Sequence, residues 1–419
     1  MVDIPPRLDR ALQGRGGEPP AFICGLGSNG LSFVRSLGRR RIPVVSMDTW
    51  SRPDMVSRYS IPWIVPDPTD REDTLLKLMD AVAKIQRQRG VLIPTNDAFV
   101  LFLSKYRTEL SDHFDLNVAD HGTVNTLLNK RLQYEFAERT GVSIPRTWYP
   151  EDVGIRTIAR EVSYPCIIKP YSSHLWESFM QRTGELRWGK VGVAGSAAEL
   201  IATFEAMAAS GLGFMVQEKI SGGPETLYDI LVYLNRDSVP LASFTKHKIR
   251  IYPLDFGVSS VAIGEWLPDV AELGLRFVRA LRYRGAVSPE FKRDPRDGQL
   301  KLMEVNARSI LTTHLAVVSG VDIPYIIYQD SRGHALDPAP RVRSGITWIS
   351  FQRDLRALVE VRRRGNVDLS EWMGAWKAPR CFEYYVPDDP LPAVRAYSRY
   401  VTTWLRTEFM RRRPAPVAE

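Results

Sequence analysis

The sequence predicts a mixed α/β and α+β protein with more than one domain, and three observations carry that reading. From Ala21 to about residue 120, short apolar runs alternate with amphipathic stretches, the βαβ rhythm of a parallel sheet with helices on both faces. From Pro165 the pattern turns to strands and hairpins, and beyond Asp330 it changes again. A chain of 419 residues is also too long for one small core. The divisions expected are a disordered arm over 1–20, an α/β domain over 21–120, a central region over 121–335 and a C-terminal helical extension over 336–419.

The arm is polar and rich in Pro, Gly and Arg. Ala21-Phe-Ile-Cys-Gly25 reads as the first strand, and Gly25-Leu-Gly27-Ser-Asn-Gly30 turns it into a helix through about Arg39. Ile42 to Met47 is the next strand, closed by Asp48. Glycines at this spacing with an acid about twenty residues on match the dinucleotide fingerprint, which makes an NAD(P)-dependent oxidoreductase one reading. The same glycines also serve a tight turn and close helix packing. Strand Trp63–Val65, helix Glu72–Arg87, strand Val91–Ile93 and helix Ala98–Leu110 continue the alternation. Thr95-Asn96-Asp97 lies just past a strand's carboxyl end, where open α/β sheets bind ligands; Asp97 equally suits a helix N-cap. His121 to Thr140 carries one helical stripe of Leu127, Leu128, Leu132, Phe136 and Ala137.

Two later segments carry chemistry. Tyr164-Pro-Cys-Ile-Ile-Lys169-Pro170 puts a lysine at the end of an apolar strand, where it is costly unless it meets an anion. Further on, Ala286 to Lys292 alternates in sense, Asp294-Pro-Arg-Asp-Gly298 is turn chemistry, and Glu304-Val-Asn306-Ala-Arg308 alternates again. With Arg293 facing Gln299, Glu290 comes within about one cross-strand pair of Glu304. Two carboxylates and the Asn306 amide oxygen then share one polar face, a hard-oxygen set suited to Mg²⁺. Arg308 offers a fork for phosphate on the same face.

Glu, a gap of about a dozen residues, then Glu-x-Asn-x-Arg resembles the metal end of the ATP-grasp ligases, and the resemblance runs from roughly Phe22 to Asp330. It implies a Rossmann-like preceding domain that binds no nicotinamide, two lobes clasping Mg-ATP, and an extra C-terminal region. Lys169, in Pro-x-Ile-x-Lys-Pro, would lie on the α- and β-phosphates, and Lys130 would be the family's earlier phosphate lysine. Ser172 and Ser173 sit where many members have a glycine-rich flap; an aromatic insertion running to Lys190 replaces the glycines, and Lys190 itself could meet a phosphate. Met215 to Gly223 resembles the adenine hinge, with Glu218, Lys219 and Ile220 against the base and Glu225 on the ribose. The subgroup of D-aspartate ligase and predicted carboxylate–amine ligases has a Lys-x-Arg before Pro and Gly, matched by Lys248 and Arg250. These two and Arg308 would stabilise the transferring phosphoryl group and an acyl phosphate. Glu290, Glu304 and Asn306 would hold two Mg²⁺ ions, for which Mn²⁺ can substitute. The activity implied is ATP-dependent carboxylate–amine ligation; a non-catalytic ATP-binding sensor or assembly protein is a further alternative.

Composition agrees with an ordinary enzyme: 44% apolar and 25% charged. No apolar run reaches the roughly 18 residues of a membrane span, and the arm lacks a signal peptide's apolar stretch. Cys24, Cys166 and Cys381 are odd in number and far apart, which suits a reducing cytoplasm. A formal charge of +8 favours anionic partners, so at least one substrate is expected to be anionic. The Lys and Arg residues are scattered and no zinc-finger or RNP motif appears, so nucleic acid is not expected. Arg406 and Arg411-Arg-Arg413, around Trp404, Phe409 and Met410, form a basic end suited to peripheral membrane contact or to a solvated helix end. A homodimer is a further expectation.

Overall fold

The computed structural model describes residues 4–13, 17–183, 191–336, 342–365, 368–377 and 379–411. The first sheet is parallel: β1 (Ala21–Cys24), β2 (Val44–Asp48), β3 (Ile61–Ile64) and β4 (Val91–Pro94), ordered β3-β2-β1-β4. Helices Gly27–Arg39 and Glu72–Ile85 make the crossovers. β1 and β2 are buried along their whole length, as strands covered on both faces must be.

The second sheet holds β5 (Thr147–Trp148), β6 (Cys166–Pro170), β7 (Gly192–Ala194) and β8 (Phe214–Glu218), ordered β5-β8-β6-β7 and antiparallel. It has its own core of Trp148, Cys166, Ile168, Trp176 and Val216, and so forms a small lobe. The third sheet is the scaffold: β9 (Leu227–Leu234), β10 (Pro240–Tyr252), β11 (Val258–Gly264), β12 (Gly285–Arg293), β13 (Leu300–Asn306), β14 (Ile346–Ile349) and β15 (Arg380–Phe382). Its order is β13-β12-β9-β10-β11-β14-β15. One face shares a core with the first domain, where Ile23, Phe33 and Val34 meet Leu231, Tyr233 and Trp348.

Several sequence expectations change. The arm is not wholly disordered: Pro6–Leu12 is a helix that buries Leu8 and Leu12 against the first domain's core, a use of two leucines that overall polarity hides. The C-terminal region is not only helical, because β14 and β15 extend the central sheet. The long helix from His121 is broken at Asn129, whose side chain accepts from the amides of Arg131 and Leu132 and caps a new helix, Lys130–Arg139. Leu132, expected in the apolar stripe, therefore turns outward and is exposed. The helix after β4 is capped by Asn96, not Asp97, and pauses at Tyr106. Trp372 lies within the helix Leu369–Gly374, and Trp376 follows it.

The C-terminal segment is locked to the first domain by a buried ion pair. Arg35 Nε donates to Asp389 Oδ2 at 3.0 Å, and Arg35 Nη2 donates to the Tyr384 and Asp389 carbonyls. Asp389 also accepts from Ser57 Oγ and the Arg58 amide. Both side chains are at most 2% exposed. Removing the carboxylate strands a guanidinium in the core, so Asp389→Ala should lower unfolding free energy by about 3–5 kcal/mol in denaturant titrations. A loss under about 1 kcal/mol would show that this contact does not hold the segment.

Candidate functional site

The site is built on the β12–β13 hairpin. A β-bulge leaves Met303 unpaired, so Glu290 faces Glu304 directly while Phe291 faces Leu302. The bulge lets Leu302 and Val305 both turn into the core and leaves Glu304 and Asn306 together on the other face. Helix Lys130–Arg139 holds it: Tyr134 OH donates to the Met303 carbonyl at 2.7 Å, and Gln133 Nε2 donates to the Val305 carbonyl at 3.3 Å.

On the next strand Asp229 pairs with Glu290, and Lys246 of β10 lies opposite Asp229. Three acids therefore form a row across β13, β12 and β9, and lysines meet them. Lys130 Nζ donates to Glu304 Oε1 at 2.7 Å and to Ser173 Oγ at 2.8 Å. Lys248 Nζ donates to Glu290 Oε2 at 2.7 Å, and buried Lys246 pairs with Asp229. Burial raises the Glu290 carboxyl from its ordinary value, and Asp229 adds to the rise against the opposing pull of Lys248. Burial would depress Lys248, but Glu290 and then Asp229 outweigh it and hold that ammonium above its usual value.

Lys169 faces this row from β6, at the strand end where an anion was expected. Its Nζ donates to Gln217 Oε1 at 2.8 Å, and Gln217 Nε2 passes the bond on to Thr147. Burial, then the like charge of Lys130, lowers Lys169 to about 8. Ser172 Oγ bonds His174 Nδ1 at 2.8 Å, next to Ser173 at the start of helix Ser173–Thr183. Lys190 lies outside the described residues.

The hinge side chains are held by other protein groups. Glu218 Oε1 accepts from the Arg146 amide at 2.9 Å, and its carboxylate pairs with Arg296 and Lys301. Its side chain is thus committed away from a base, and only the main chain is left for that task. Lys219 is exposed, Ile220 buried, and exposed Glu225 accepts from the Gly223 amide at 3.0 Å. Lys292 of β12 donates to the Ile220 and Gly222 carbonyls and ties this loop to the hairpin.

Two arginines part company. Arg308 makes a fork to Asp97, at 2.7 and 3.2 Å, which brings the strand-end acid of the first domain to the hairpin. Against the effect of burial, Asp97 raises the Arg308 pKa, and Glu304 adds to it. Arg250, expected beside Lys248 at the reaction centre, is turned to the C-terminal region by register shifts in β10 on either side of it. Its guanidinium forks onto Asp354 at 2.7 and 3.0 Å and stacks 4.1 Å from the Trp372 ring. Alternation along β10 misses this because a bulge resets it. Asp229, Lys246 and Gln217 were missed as well, although each is a polar residue inside an apolar strand, the signal that singled out Lys169.

The glycine turn after β1 is filled by protein. Leu26 N donates to Asp48 Oδ2 at 2.9 Å, and Gly27 N donates to Asp54. Asn29 of the following helix bonds the Thr95 and Ser309 carbonyls, joining the first domain to the loop after β13. Asp48, the acid of the fingerprint, caps this turn.

The residues fit a magnesium ion: two directly opposed carboxylates and an amide supply hard oxygens on one face. Among the described residues, no group of three or more His, Cys, Asp and Glu is placed to hold a metal. Also among them, no helix is long and apolar enough to cross a membrane.

No family model matches the chain. It is 24% identical over 297 residues to a D-aspartate ligase of Enterococcus faecium (strain Aus0004), covering 64% of this chain and 65% of that protein. The chain thus spans just under two thirds of the curated relative it matches. Among solved structures it superposes on an L-amino acid ligase from Bacillus licheniformis with TM-score 0.56 and 13% identity, over 76% of this chain and 75% of that one. It also superposes on the biotin carboxylase domain of Hydrogenobacter thermophilus 2-oxoglutarate carboxylase, solved with MgADP, ADP and bicarbonate. There the TM-score is 0.59 and identity 15%, over 78% of this chain and 73% of that one. The fold is ATP-grasp. In that fold the first domain's glycine turn is a packing device, its amides held by Asp48 and Asp54. Calorimetry should accordingly find no tight binding of NAD(H) or NADP(H); micromolar affinity for either would overturn this account of the turn.

Proposed function

We propose that the protein is an ATP-dependent carboxylate–amine ligase that forms an amide or peptide bond through an acyl phosphate and releases ADP and phosphate. The observation that carries this is the meeting of Lys130, Lys169 and Lys248 around the opposed Glu290 and Glu304, in a chain similar to a D-aspartate ligase. Three cations over a short carboxylate row are what a triphosphate with its metal requires.

In this reading Lys169 and Lys130 bind the α- and β-phosphates, with Ser172 and Ser173 donating beside them. The main chain from Glu218 to Ile220 meets the adenine, and Glu225 the ribose. Glu290, Glu304 and Asn306 hold the magnesium, two ions with Mn²⁺ as a substitute, which when bound screens phosphate charge. The substrate carboxylate attacks the γ-phosphorus and ADP leaves. The amine then attacks the acyl carbon, and phosphate departs carrying one former carboxylate oxygen. Lys248 and Arg308 balance charge on the transferring phosphoryl group and the acyl phosphate. Arg250 stands outside this set because Asp354 and Trp372 hold it. The net charge of +8 supports at least one anionic substrate, and the three buried free cysteines support a cytoplasmic setting. A homodimer and peripheral membrane contact through the basic C-terminus belong to the same reading; Arg412 and Arg413 of that cluster lie outside the described residues.

With a cognate acid, hydroxylamine should trap a hydroxamate, and ¹⁸O from the carboxylate should appear in released phosphate. Glu304→Ala should abolish both while the circular dichroism spectrum stays that of the folded chain, with some loss of thermal stability because Lys130 loses its carboxylate. AMP and pyrophosphate as products, without ADP, would reject the mechanism.

The depressed Lys169 generates a pH effect. A bound polyphosphate favours the ammonium, so binding raises its pKa and takes up a proton once pH exceeds about 8. ATP affinity should therefore fall as pH rises through that value, with proton uptake visible by calorimetry in buffers of different ionisation enthalpy. Lys169→Met should remove the uptake along with much of the affinity. Uptake of the same size in that variant would assign the titration to another group.

A further inference from the structure

The β9–β10 turn and the approach to β12 form the end of the central sheet remote from the hinge. Leu234 pairs there with Gly285, whereas Asp229 pairs with Glu290. At about 3.3 Å per residue, Arg284 lies roughly 20 Å along β12 from Glu290. A cleft of about 360 Å³ opens at this end, lined by Arg107, Arg236, Arg282 and Arg284 together with Asp120 and Asp237. That volume matches a small-metabolite site.

The charges do not cancel. Four arginines line the cleft, Arg107 and Arg284 half-buried and Arg236 and Arg282 exposed, against two acids, of which Asp120 also accepts from the amide and hydroxyl of Thr123. Arg284 is anchored by Nε donating to the Val118 carbonyl at 2.9 Å. Burial, then the like charges of Arg107 and Arg236, lower its pKa, with Asp120 only partly offsetting them.

The backbone gives an independent sign. Among the described residues three non-glycine positions have positive φ, and two of them, Ser238 (φ 61°) and Arg282 (φ 51°), line this cleft. Arg282 closes helix Pro268–Ala280 through bonds from its own amide and that of Tyr283, a position glycine usually takes. Glycine would hold the turn at Arg282 with less strain but would leave no guanidinium there.

We propose that this cleft is a second anion site, separate from the nucleotide site, which binds a small ligand carrying two or more adjacent phosphate groups. Guanidinium forks suit phosphate oxygens, and neighbouring forks around one opening suit neighbouring phosphates. The site is independent of the activity proposed above, and its lining includes the segment that leads into the strand bearing Glu290.

The test is calorimetric titration of the full chain with inorganic pyrophosphate, in metal-free buffer at near-physiological salt. Arg236→Ala combined with Arg282→Gly keeps the turn and removes two guanidinium groups; it should weaken binding by about tenfold or more. Lys130→Met combined with Lys169→Met disables the nucleotide site and should leave a pyrophosphate site intact. Binding that survives in the lysine variant and is lost in the arginine variant supports the proposal. No binding to the wild type, loss in the lysine variant, or unchanged binding in the arginine variant, each with folding verified by circular dichroism, overturns it.

Discussion

The structure depends on a charge balance drawn across three strands. Glu304, Glu290 and Asp229 lie side by side on one face of the central sheet, from half-exposed Glu304 to buried Asp229, and alone they would repel one another. Desolvation of an ion costs several kcal/mol, so each acid needs a partner at hydrogen-bond distance. Lys130, Lys248 and Lys246 are those partners, and they come from a helix N-terminus and a neighbouring strand. Each lysine fixes the approach of the element that bears it. The bulge at Met303, the helix cap at Asn129 and the pairing of β9 with β10 all serve one alignment.

That balance also orders function. Lys169 bonds a neutral glutamine, whereas Lys130, Lys246 and Lys248 are neutralised by carboxylates. An arriving polyanion would meet a lysine that burial, then the like charge of Lys130, has depressed. A metal on Glu290 and Glu304 would compete with Lys248 and Lys130 for the same oxygens, leaving those ammonium groups to phosphate. Metal and nucleotide would then bind together more readily than either alone, by the ordinary linkage of sites that share partners.

Much of this was legible in the residues, and what was not has definite causes. The hairpin followed from alternation on both sides of a Pro–Gly turn, and Lys169 from the cost of a charge ending an apolar strand. The match to a Lys-x-Arg motif set Arg250 beside Lys248 at the reaction centre, while register shifts around it in β10 give it to Asp354. Periodicity failed at Asn129, where the capping side chain was visible but a continuous leucine pattern outweighed it. The glycine fingerprint was real as geometry. Only the long-range contacts of Asp48, Asp54 and Asn29 reveal that protein groups already satisfy it, and no local pattern carries those contacts.

Arg250 shows how the C-terminal region is drawn into the rest of the molecule. Asp354 is buried at the first turn of helix Phe351–Arg364 and accepts from Arg250, from Ser260 and from the indoles of Trp372 and Trp376. With that many donors its oxygens are satisfied without help from water. Arg250 and Lys248 are two residues apart on β10, so the same strand carries a site lysine and the anchor of the C-terminal helices. Displacing the anchor would disturb β10 first at its bulge, which adjoins Lys248. The region after β14 is thus tied to the strand that carries Lys248, without a described ion pair of its own to Glu290 or Glu304.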